Sequence, residues 1–436
     1  MGRTVRSGRL AVSGFLLFGI VLATQVITSG WKTQVYANQF RSLQQAVDSL
    51  PAEGGTVSLT CGSYGAVTIS RPNVAIIGAG DCSSITAPAS GSSGIVTVTG
   101  GATHTIISSV RILGQAVDQS TIQRCIYLTG GSTGTTIEHV KFGGISPTSG
   151  CNIQIHADPT SARNLITKNT FTQAVGTGSG GGYGILVESS TSNVITNNVS
   201  IQTATQGRHH IYLSVGASSN VVMNNKLSGG TSDQIVIYSL DSQPAARYNL
   251  IQNNVLRGMA TGLGAKAAIH ICHNATLNRV IGNQVLEPAV AGIEIEASAI
   301  KGQAHADRND LENNQIYFAG HFGILILGSS SNTIRGNTIY EASQAVPGSY
   351  AGLEVSSNSI YAIAHSNQIS GNTSYGPQKQ RCGLQIDSGT PAPHATVVNL
   401  NRFGVGAIGR ALNNGGRDTR IGMNILDYQN PNPPKA

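Results

Sequence analysis

The sequence is poor in the large side chains that fill a thick globular core, and it is poor in charge. Only one of its 436 residues is tryptophan, aromatic residues make up 5% of the chain and charged residues 11%. Such a chain must build its core from Ile, Val, Leu and Ala in thin repeated layers, as a solenoid does. With 54 glycines in addition, the composition predicts a turn-rich, all-β repetitive protein.

The chain also lacks basic runs and motifs of nucleic-acid binding, which excludes that class of partner. Its formal net charge is +7. Three of these charges belong to Arg3, Arg6 and Arg9, so a processed chain would carry 7 − 3, or about +4. This modest basicity suits an acidic substrate without requiring one.

Residues 1–30 predict export. Three arginines precede an apolar run over residues 10–23, which is the order of a secretory signal peptide, with an uncleaved signal anchor as the alternative. We therefore expect a secreted or periplasmic protein without stable membrane association after signal cleavage.

The six cysteines are compatible with export. Cys61 and Cys82 flank one turn-rich unit, and Cys125 and Cys151 occupy nearly matching points of neighbouring repeats. We predict both pairs as disulfides. Cys272 and Cys382 are predicted to be buried thiols.

The start of the repetitive region predicts a helix followed by short strands. Apolar residues at helical spacing predict an amphipathic helix over residues 40–50, which Pro51 ends. Strand patterns follow at 54–59, 65–69 and 74–80. This helix and the run Gly-Gly-Thr-Val, Gly-x-Tyr, Ile-Ile-Gly-x-Gly resemble the start of the pectate-lyase-like right-handed parallel β-helix superfamily. The resemblance implies a single parallel β-helix domain over residues 38–425 with a short N-terminal capping helix. Residues 426–436 are predicted to form a disordered tail.

Asparagines recur with the period of β-helix coils. An Asn precedes an apolar triplet at intervals of 23 to 31 residues. These positions are Asn164, Asn193, Asn220, Asn249, Asn278, Asn309 and Asn332. A second Asn follows five residues after each. An amide at a sharp turn bonds to the backbone and to its copy one coil above, so the two series predict structural ladders and not ligand sites.

A column of aliphatic residues predicts the inner face of one stacked sheet. Its members are Ile126, Ile153, Ile185, Ile211, Ile235, Ile269, Ile293, Ile324, Leu353 and Leu384. Because side chains alternate along a strand, residues one or three positions away should face outward.

The predicted outer face concentrates titratable and aromatic side chains around the segment 207–214. Alternation places Arg208, His210 and Tyr212 on that face and sends His209 to the core side. These three are the predicted catalytic residues. Tyr127 is interpreted as structural. The predicted substrate-binding residues are His156, Glu188, Gln234, Tyr238, Lys266, His270 and Glu294.

The resemblance implies action on a polysaccharide that lies along the outer groove. β-Elimination from a uronic acid needs a neutraliser of the carboxylate, a base and an acid. Arg208, His210 and Tyr212 would supply these roles in that order over ~13 Å of strand. We therefore predict a polysaccharide lyase that cleaves an acidic, uronic-acid-containing polymer.

Three alternatives remain open at this stage. A glycoside hydrolase would need two carboxyl groups ~5–5.5 Å or ~6.5–9.5 Å apart, such as Glu294 with Glu296 or with Glu354. A uronate C5-epimerase would use nearly the same residues as a lyase. A non-catalytic glycan-binding or cell-surface β-helix would need only stacked polar residues. No cofactor or metal is predicted, because no acidic cluster adjoins Arg208 to hold calcium and no second Cys/His pair supports zinc at His273. A calcium site that Glu188 joins stays open as the alternative.

Overall fold

The computed structural model describes residues 33–86, 94–116, 122–146, 148–172, 174, 182–202, 208–240, 242–258, 267–376 and 378–427. The predicted signal segment, Lys266 and the tail from residue 428 lie outside these ranges. Among the described residues, no helix is long and apolar enough to cross a membrane.

Each coil of the chain contributes one short strand to each of three long parallel sheets, which confirms the predicted parallel β-helix. Sheet 1 has 13 strands, sheet 2 has 15 and sheet 3 has 14, in the order in which a coil visits them. A small fourth sheet pairs Ala246–Arg247 with Ala275–Thr276.

The strands of sheet 1 are Val67–Ile69, Gly94–Val98, Arg124–Leu128, Ile153–Ala157, Tyr183–Glu188, His209–Ser214, Ile235–Ser239, Ala267–His273, Ala291–Glu296, Ile324–Leu327, Leu353–Ser356, Leu384–Ile386 and Leu412–Asn414. The strands of sheet 2 are Gln34–Tyr36, Gly55–Ser58, Val74–Ile77, Ile106–Ser108, Thr136–Glu138, Leu165–Thr167, Val194–Thr196, Val221–Met223, Leu250–Gln252, Arg279–Ile281, Asp310–Glu312, Thr333–Arg335, Gln368–Ser370, Val397–Asn399 and Arg420–Ile421. The strands of sheet 3 are Gly62–Tyr64, Ser83–Thr86, Arg111–Gly114, Lys141–Gly144, Thr170–Thr172, Val199–Gln202, Lys226–Gly229, Val255–Arg257, Gln284–Leu286, Gln315–Tyr317, Thr338–Tyr340, Thr373–Tyr375, Arg402–Phe403 and Ile425–Leu426.

A short helix covers the N-terminal end of sheet 1. It spans Leu43–Asp48, shorter than the predicted 40–50, and follows a 3-10 turn at Ala37–Gln39. Ser42 caps it by accepting a hydrogen bond from the Gln45 amide. The Gln44 side chain donates to the Thr68 carbonyl at 3.1 Å and accepts from the Thr68 amide at 2.7 Å. These bonds satisfy backbone groups of Val67–Ile69, the edge strand of sheet 1, which would otherwise be open to pairing with another chain.

The inward column of sheet 1 is confirmed with one correction. In the strand register Ile126 pairs with Ile155, and Ile155 pairs with Ile185. The predicted Ile153 instead aligns with Arg124 and Tyr183, two positions earlier. From Ile185 to Leu384 the column runs as predicted, and its members are fully buried.

Both asparagine ladders are confirmed. Asn164 donates its amide Nδ2–H to Asn193 Oδ1 at 2.8 Å, and Asn169 donates to Asn198 Oδ1 at 3.0 Å. The first ladder continues to Asn367 and the second to Asn424. Their side chains satisfy buried backbone groups at two turns of each coil, so they stabilise the stack.

The cysteine predictions are also confirmed. Cys61–Cys82 and Cys125–Cys151 form disulfides, and Cys272 and Cys382 are buried free thiols. Cys272 aligns with Tyr238 and Glu296, so it lies among the polar residues of the outer face and not in the aliphatic core.

Candidate functional site

A bulge at the start of the strand His209–Ser214 overturns the predicted placement of His210. The backbone amides of His210 and Ile211 both donate to the Gln234 carbonyl, at 3.1 and 3.0 Å. Two residues of this strand therefore oppose one residue of the next strand, and side chains cease to alternate between the two faces of the sheet at this point. The His210 ring is 1% exposed and contacts Ser200 Oγ of sheet 3 at 2.6 Å and the Gly229 carbonyl at 3.2 Å. His210 is an interior residue, and the prediction that it faces the groove is wrong.

The same corner position is filled by buried amides in neighbouring coils. Gln154 donates to the Thr172 carbonyl, and Gln234 donates to the carbonyls of Gly229 and Arg257 at 3.2 and 3.1 Å. Both side chains are 1% exposed or less. The prediction that Gln234 binds substrate from the outer face is therefore also wrong.

His209, predicted to face the core, lies instead in an aromatic stack on the outer face. Its ring lies 5.7 Å from Tyr183 and 5.2 Å from Tyr212, between centroids, at interplanar angles of 20° and 19°. Tyr183 and Tyr212 stack on each other at 5.4 Å, and Tyr238 extends the stack at 6.2 Å from Tyr212. We call these four residues the aromatic stack. It brings the predicted Tyr212 and Tyr238 together with two residues that the sequence argument missed.

The hydrogen bond of His209 fixes its tautomer. Nδ1 lies 2.7 Å from the Asp233 carbonyl oxygen, which can only accept, so Nδ1 carries the proton. Nε2 then keeps its lone pair. Burial lowers the pKa of His209 to about 4, so the ring is neutral near pH 7. A neutral imidazole held in this way can accept a proton.

Proton donors and a cation adjoin His209. Arg208 donates from Nη1 to Tyr183 Oη at 3.2 Å. Burial raises the pKa of Tyr183 and of Tyr212, so both phenols keep their protons. Tyr212 and Arg208 are half-buried, whereas Tyr183 and His209 are each 4% exposed. The arrangement therefore combines a base, an acid and a guanidinium at one point of the groove.

A charged chain of contacts lies on the N-terminal side of the aromatic stack. Arg124 Nε donates to His156 Nδ1 at 2.8 Å, so the other nitrogen, Nε2, donates to Glu188 Oε2 at 3.0 Å. That bond lowers the pKa of Glu188. Tyr127 stacks on His156 at 5.1 Å and donates to Asp158 at 3.2 Å, so it belongs to this cluster. Both nitrogens of His156 are engaged, which suits a binding residue better than a base.

A carboxylate-rich cluster lies on the C-terminal side. His270 Nδ1 is 3.0 Å from Asp233 Oδ2, and its Nε2 is 3.2 Å from Glu296 Oε2. Burial disfavours the charged ring, but Cys272 and Asp233 together raise the pKa of His270 well above its ordinary value. Glu294 is 2% exposed and pairs with His270 in register. Among the described residues, His270, Glu294 and Glu296 form the group whose donor atoms, all within 4.8 Å of one another, could hold a metal ion.

Two further acids continue the outer face. Burial and the neighbouring Asp387 raise the pKa of Glu354 to about 7. Ser356 donates to Asp387 Oδ2 at 3.0 Å. The described outer face of sheet 1 thus runs from a mixed N-terminal part, in which Arg124 lies near the carboxylates of Asp158 and Glu188, past the aromatic stack, to an acidic C-terminal part.

Comparison with protein families supports the fold on independent grounds. The family described as "Right handed beta helix region" matches residues 124–310 and 299–418. A search of curated proteins found no match.

Solved structures share the architecture at low sequence identity. The A-module of the Azotobacter vinelandii mannuronan C-5 epimerase AlgE6 is 15% identical, with a TM-score of 0.58 over 89% of this chain and 98% of that chain. The Dettilon tailspike protein is 14% identical, with a TM-score of 0.55 over 89% and 68%. The catalytic domain of a GH87 alpha-1,3-glucanase is 14% identical, with a TM-score of 0.53 over 78% and 68%. At these identities the likeness concerns the fold, and the family match, which covers more than half of the chain, identifies this protein as a member of the right-handed parallel β-helix family.

Proposed function

We propose that this protein is an exported polysaccharide lyase that cleaves a uronic-acid-containing polymer by β-elimination, with His209 as the base. The observation that carries the proposal is the neutral His209, whose tautomer leaves Nε2 free to accept a proton inside the aromatic stack. Tyr212 is the proposed acid, and Arg208 is the proposed partner of the uronate carboxylate.

The proposed reaction balances without a cofactor. His209 Nε2 removes the proton at C5 of the uronic acid, and Arg208 stabilises the negative charge that spreads onto the carboxylate. The electron pair of the C5–H bond forms a double bond between C4 and C5. The bond between C4 and the glycosidic oxygen breaks, and Tyr212 donates its proton to that oxygen. Afterwards His209 releases the proton that it took from C5 to water, and water returns a proton to the Tyr212 phenolate.

Other features of the chain support an acidic polymer and export. Arg124 lies on the outer face two coils, ~10 Å, before Tyr183, the first ring of the stack, and adds a second guanidinium beside the carboxylates of Asp158 and Glu188. Two disulfides and the apolar N-terminal sequence suit a secreted or periplasmic protein. The named substrate of the AlgE6 epimerase, mannuronan, is itself a polyuronate, so polymannuronate is the first polymer to test.

Incubation with polymannuronate tests the proposal. We expect ultraviolet absorbance from unsaturated uronate ends to increase with time, and neutral glucans to give no signal. The Tyr212→Phe variant, which keeps the stacked ring and removes the proton, should lose most of this activity. Release of reducing ends without unsaturation would favour a hydrolase, and no change in any polymer would favour a glycan-binding protein.

C5-epimerisation is the second candidate, favoured by the similarity in fold to mannuronan C-5 epimerases. An epimerase must return a proton to the opposite face of the sugar ring. The described members of the aromatic stack all lie on the outside of sheet 1, so they approach the sugar from one side, which favours elimination. Proton NMR of the polymer distinguishes the two, because epimerisation changes the uronate composition without shortening the chain.

A further inference from the structure

The cluster of His270, Glu294 and Glu296 has no part in the proposed elimination. Its three side chains lie close together on two neighbouring strands of sheet 1. His270 pairs with Glu294 in the register of neighbouring strands, and Glu296 lies two residues further on the same outer face. One donor atom from each residue lies within 4.8 Å of the others. One imidazole nitrogen and two carboxylates are ligand types that bind divalent transition metals.

The orientation of the His270 ring is fixed from behind. Its Nδ1–H donates to Asp233 Oδ2 at 3.0 Å, while Asp233 Oδ1 accepts from the Ala267 amide at 2.9 Å. Asp233 and His270 are 4% and 6% exposed, respectively. A carboxylate behind a histidine is the arrangement that orients metal ligands, because it fixes the tautomer and aims the second nitrogen.

The second nitrogen of His270 is aimed into the cluster. Nε2 lies 3.2 Å from Glu296 Oε2, but among the described residues no acceptor meets the geometry of a hydrogen bond with it. The Cys272 thiol lies beside the ring. A buried polar atom in this state calls for an explanation, and a bound ion is one that fits the adjoining carboxylates.

We propose that His270 Nε2, after it loses its proton, and the carboxylates of Glu294 and Glu296 form a binding site for one divalent transition-metal ion such as Zn²⁺ or Mn²⁺. Water or substrate oxygens would complete the coordination. Calcium fits poorly, because it takes oxygen ligands and an imidazole nitrogen occupies one position here.

Resting on the proposed function, the position of this site suggests its role. Tyr212 and His270 occupy the same outward column two strands apart, ~9.6 Å. A cation at His270 would neutralise the acidic C-terminal part of the groove. It could then bind the carboxylate of the uronic acid next to the one that reacts.

Calorimetric titration of tag-free, chelator-treated full-length protein with Zn²⁺, Mn²⁺ and Ca²⁺ tests the site without substrate. We expect one Zn²⁺ or Mn²⁺ ion per chain and at least tenfold weaker binding in Glu294→Gln and Glu296→Gln. Glu354→Gln, which removes an acid from the same outward column two strands further on, should bind as the wild type does. Circular dichroism and thermal unfolding of each variant verify that it folds, and the half-buried Glu296 is the milder change.

Two results would overturn the site: no stoichiometric binding of Zn²⁺ or Mn²⁺, or binding that both glutamine variants leave unchanged. Binding lost in Cys272→Ser but kept in the glutamate variants would assign the ion to the thiol and also contradict the proposal. The test is separate from the proposed function. Metal binding in a protein inactive on every polyuronate would contradict the lyase, and lyase activity without metal binding would contradict the site.

Discussion

His209 and His210 are adjacent in the chain but have opposite environments, and exchanging each for glutamine separates their roles. Glutamine already fills the His210 position in two nearby coils, as Gln154 and Gln234. We therefore expect His210→Gln to keep the fold and most of the activity. His209→Gln should lower kcat/KM on polyuronate by about 10²–10⁴-fold, since general-base catalysis contributes on this scale.

Measured kcat/KM values of both variants, with circular dichroism as the control for folding, test this pair. Equal losses in the two would show that the bulge does not separate their functions. Loss confined to His210→Gln would restore the assignment made from simple alternation.

The pH dependence of the reaction follows from the ionisation of the proposed base, His209, and the proposed acid, Tyr212. Burial lowers the pKa of His209 to about 4, so the base stays neutral until the pH falls towards that value. Burial raises the pKa of Tyr212, so the acid keeps its proton well into the alkaline range. We expect kcat/KM to decline on the acid side near pH 4 and to show no alkaline decline below about pH 10.

A profile of kcat/KM against pH measures this directly. An acid decline centred near 6.5, the ordinary value for histidine, would mean that the catalytic base is not the buried His209.

At the scale of elements, the asparagine ladders explain why the coils stack in one register. Asn254 is fully buried, donates Nδ2–H to the Val222 carbonyl at 3.0 Å, and accepts from the Asn225 amide at 2.9 Å. Its replacement by alanine leaves both of these backbone groups without partners. Each such group costs about 1–3 kcal/mol, so we expect Asn254→Ala to lower the free energy of unfolding by about 2–6 kcal/mol.

The last rung supplies a matched control. Asn424 is half-buried, and water can replace its bonds, so Asn424→Ala should cost less than about 1 kcal/mol. Urea unfolding of both variants measures the difference. A loss for Asn254→Ala no larger than for Asn424→Ala would contradict the role of the ladder.

The repeating elements of the coils were predictable from the sequence, and the bulge at the start of the strand His209–Ser214 was not. Asn and Ile recur with the coil period, so the ladders and the inward column follow from spacing alone. The bulge adds one residue at His210 and brings His209 to the outer face, which a pattern of period two cannot show.

One feature of the sequence did mark the position that His210 occupies in its coil. The position before each inward residue is often glycine, and a Cβ on Gly184, Gly292 or Gly323 would lie within 2.7 Å of neighbouring atoms. Such crowding indicates an interior position and not a solvent-facing one.

At the scale of the whole molecule, the site depends on contacts between distant parts of the chain. Asp233 reaches His270 across 37 residues, and Arg124 reaches His156 across 32. The sequence predicted that His156, Glu188, Tyr238, His270 and Glu294 lie on one outer face. It could not specify which of them bond to each other, because those contacts depend on side-chain rotamers across neighbouring strands.

The central claim is that His209 removes the proton at C5 of a uronic acid, and the fate of that hydrogen tests it most directly. The measurement is mass spectrometry of products from a polyuronate labelled with deuterium at C5. The account predicts that wild-type protein yields shortened, unsaturated products whose new ends have lost the deuterium, and that His209→Gln leaves the label in place. Shortened products that retain deuterium at C5 in their new ends would contradict it, as would label loss that His209→Gln does not reduce.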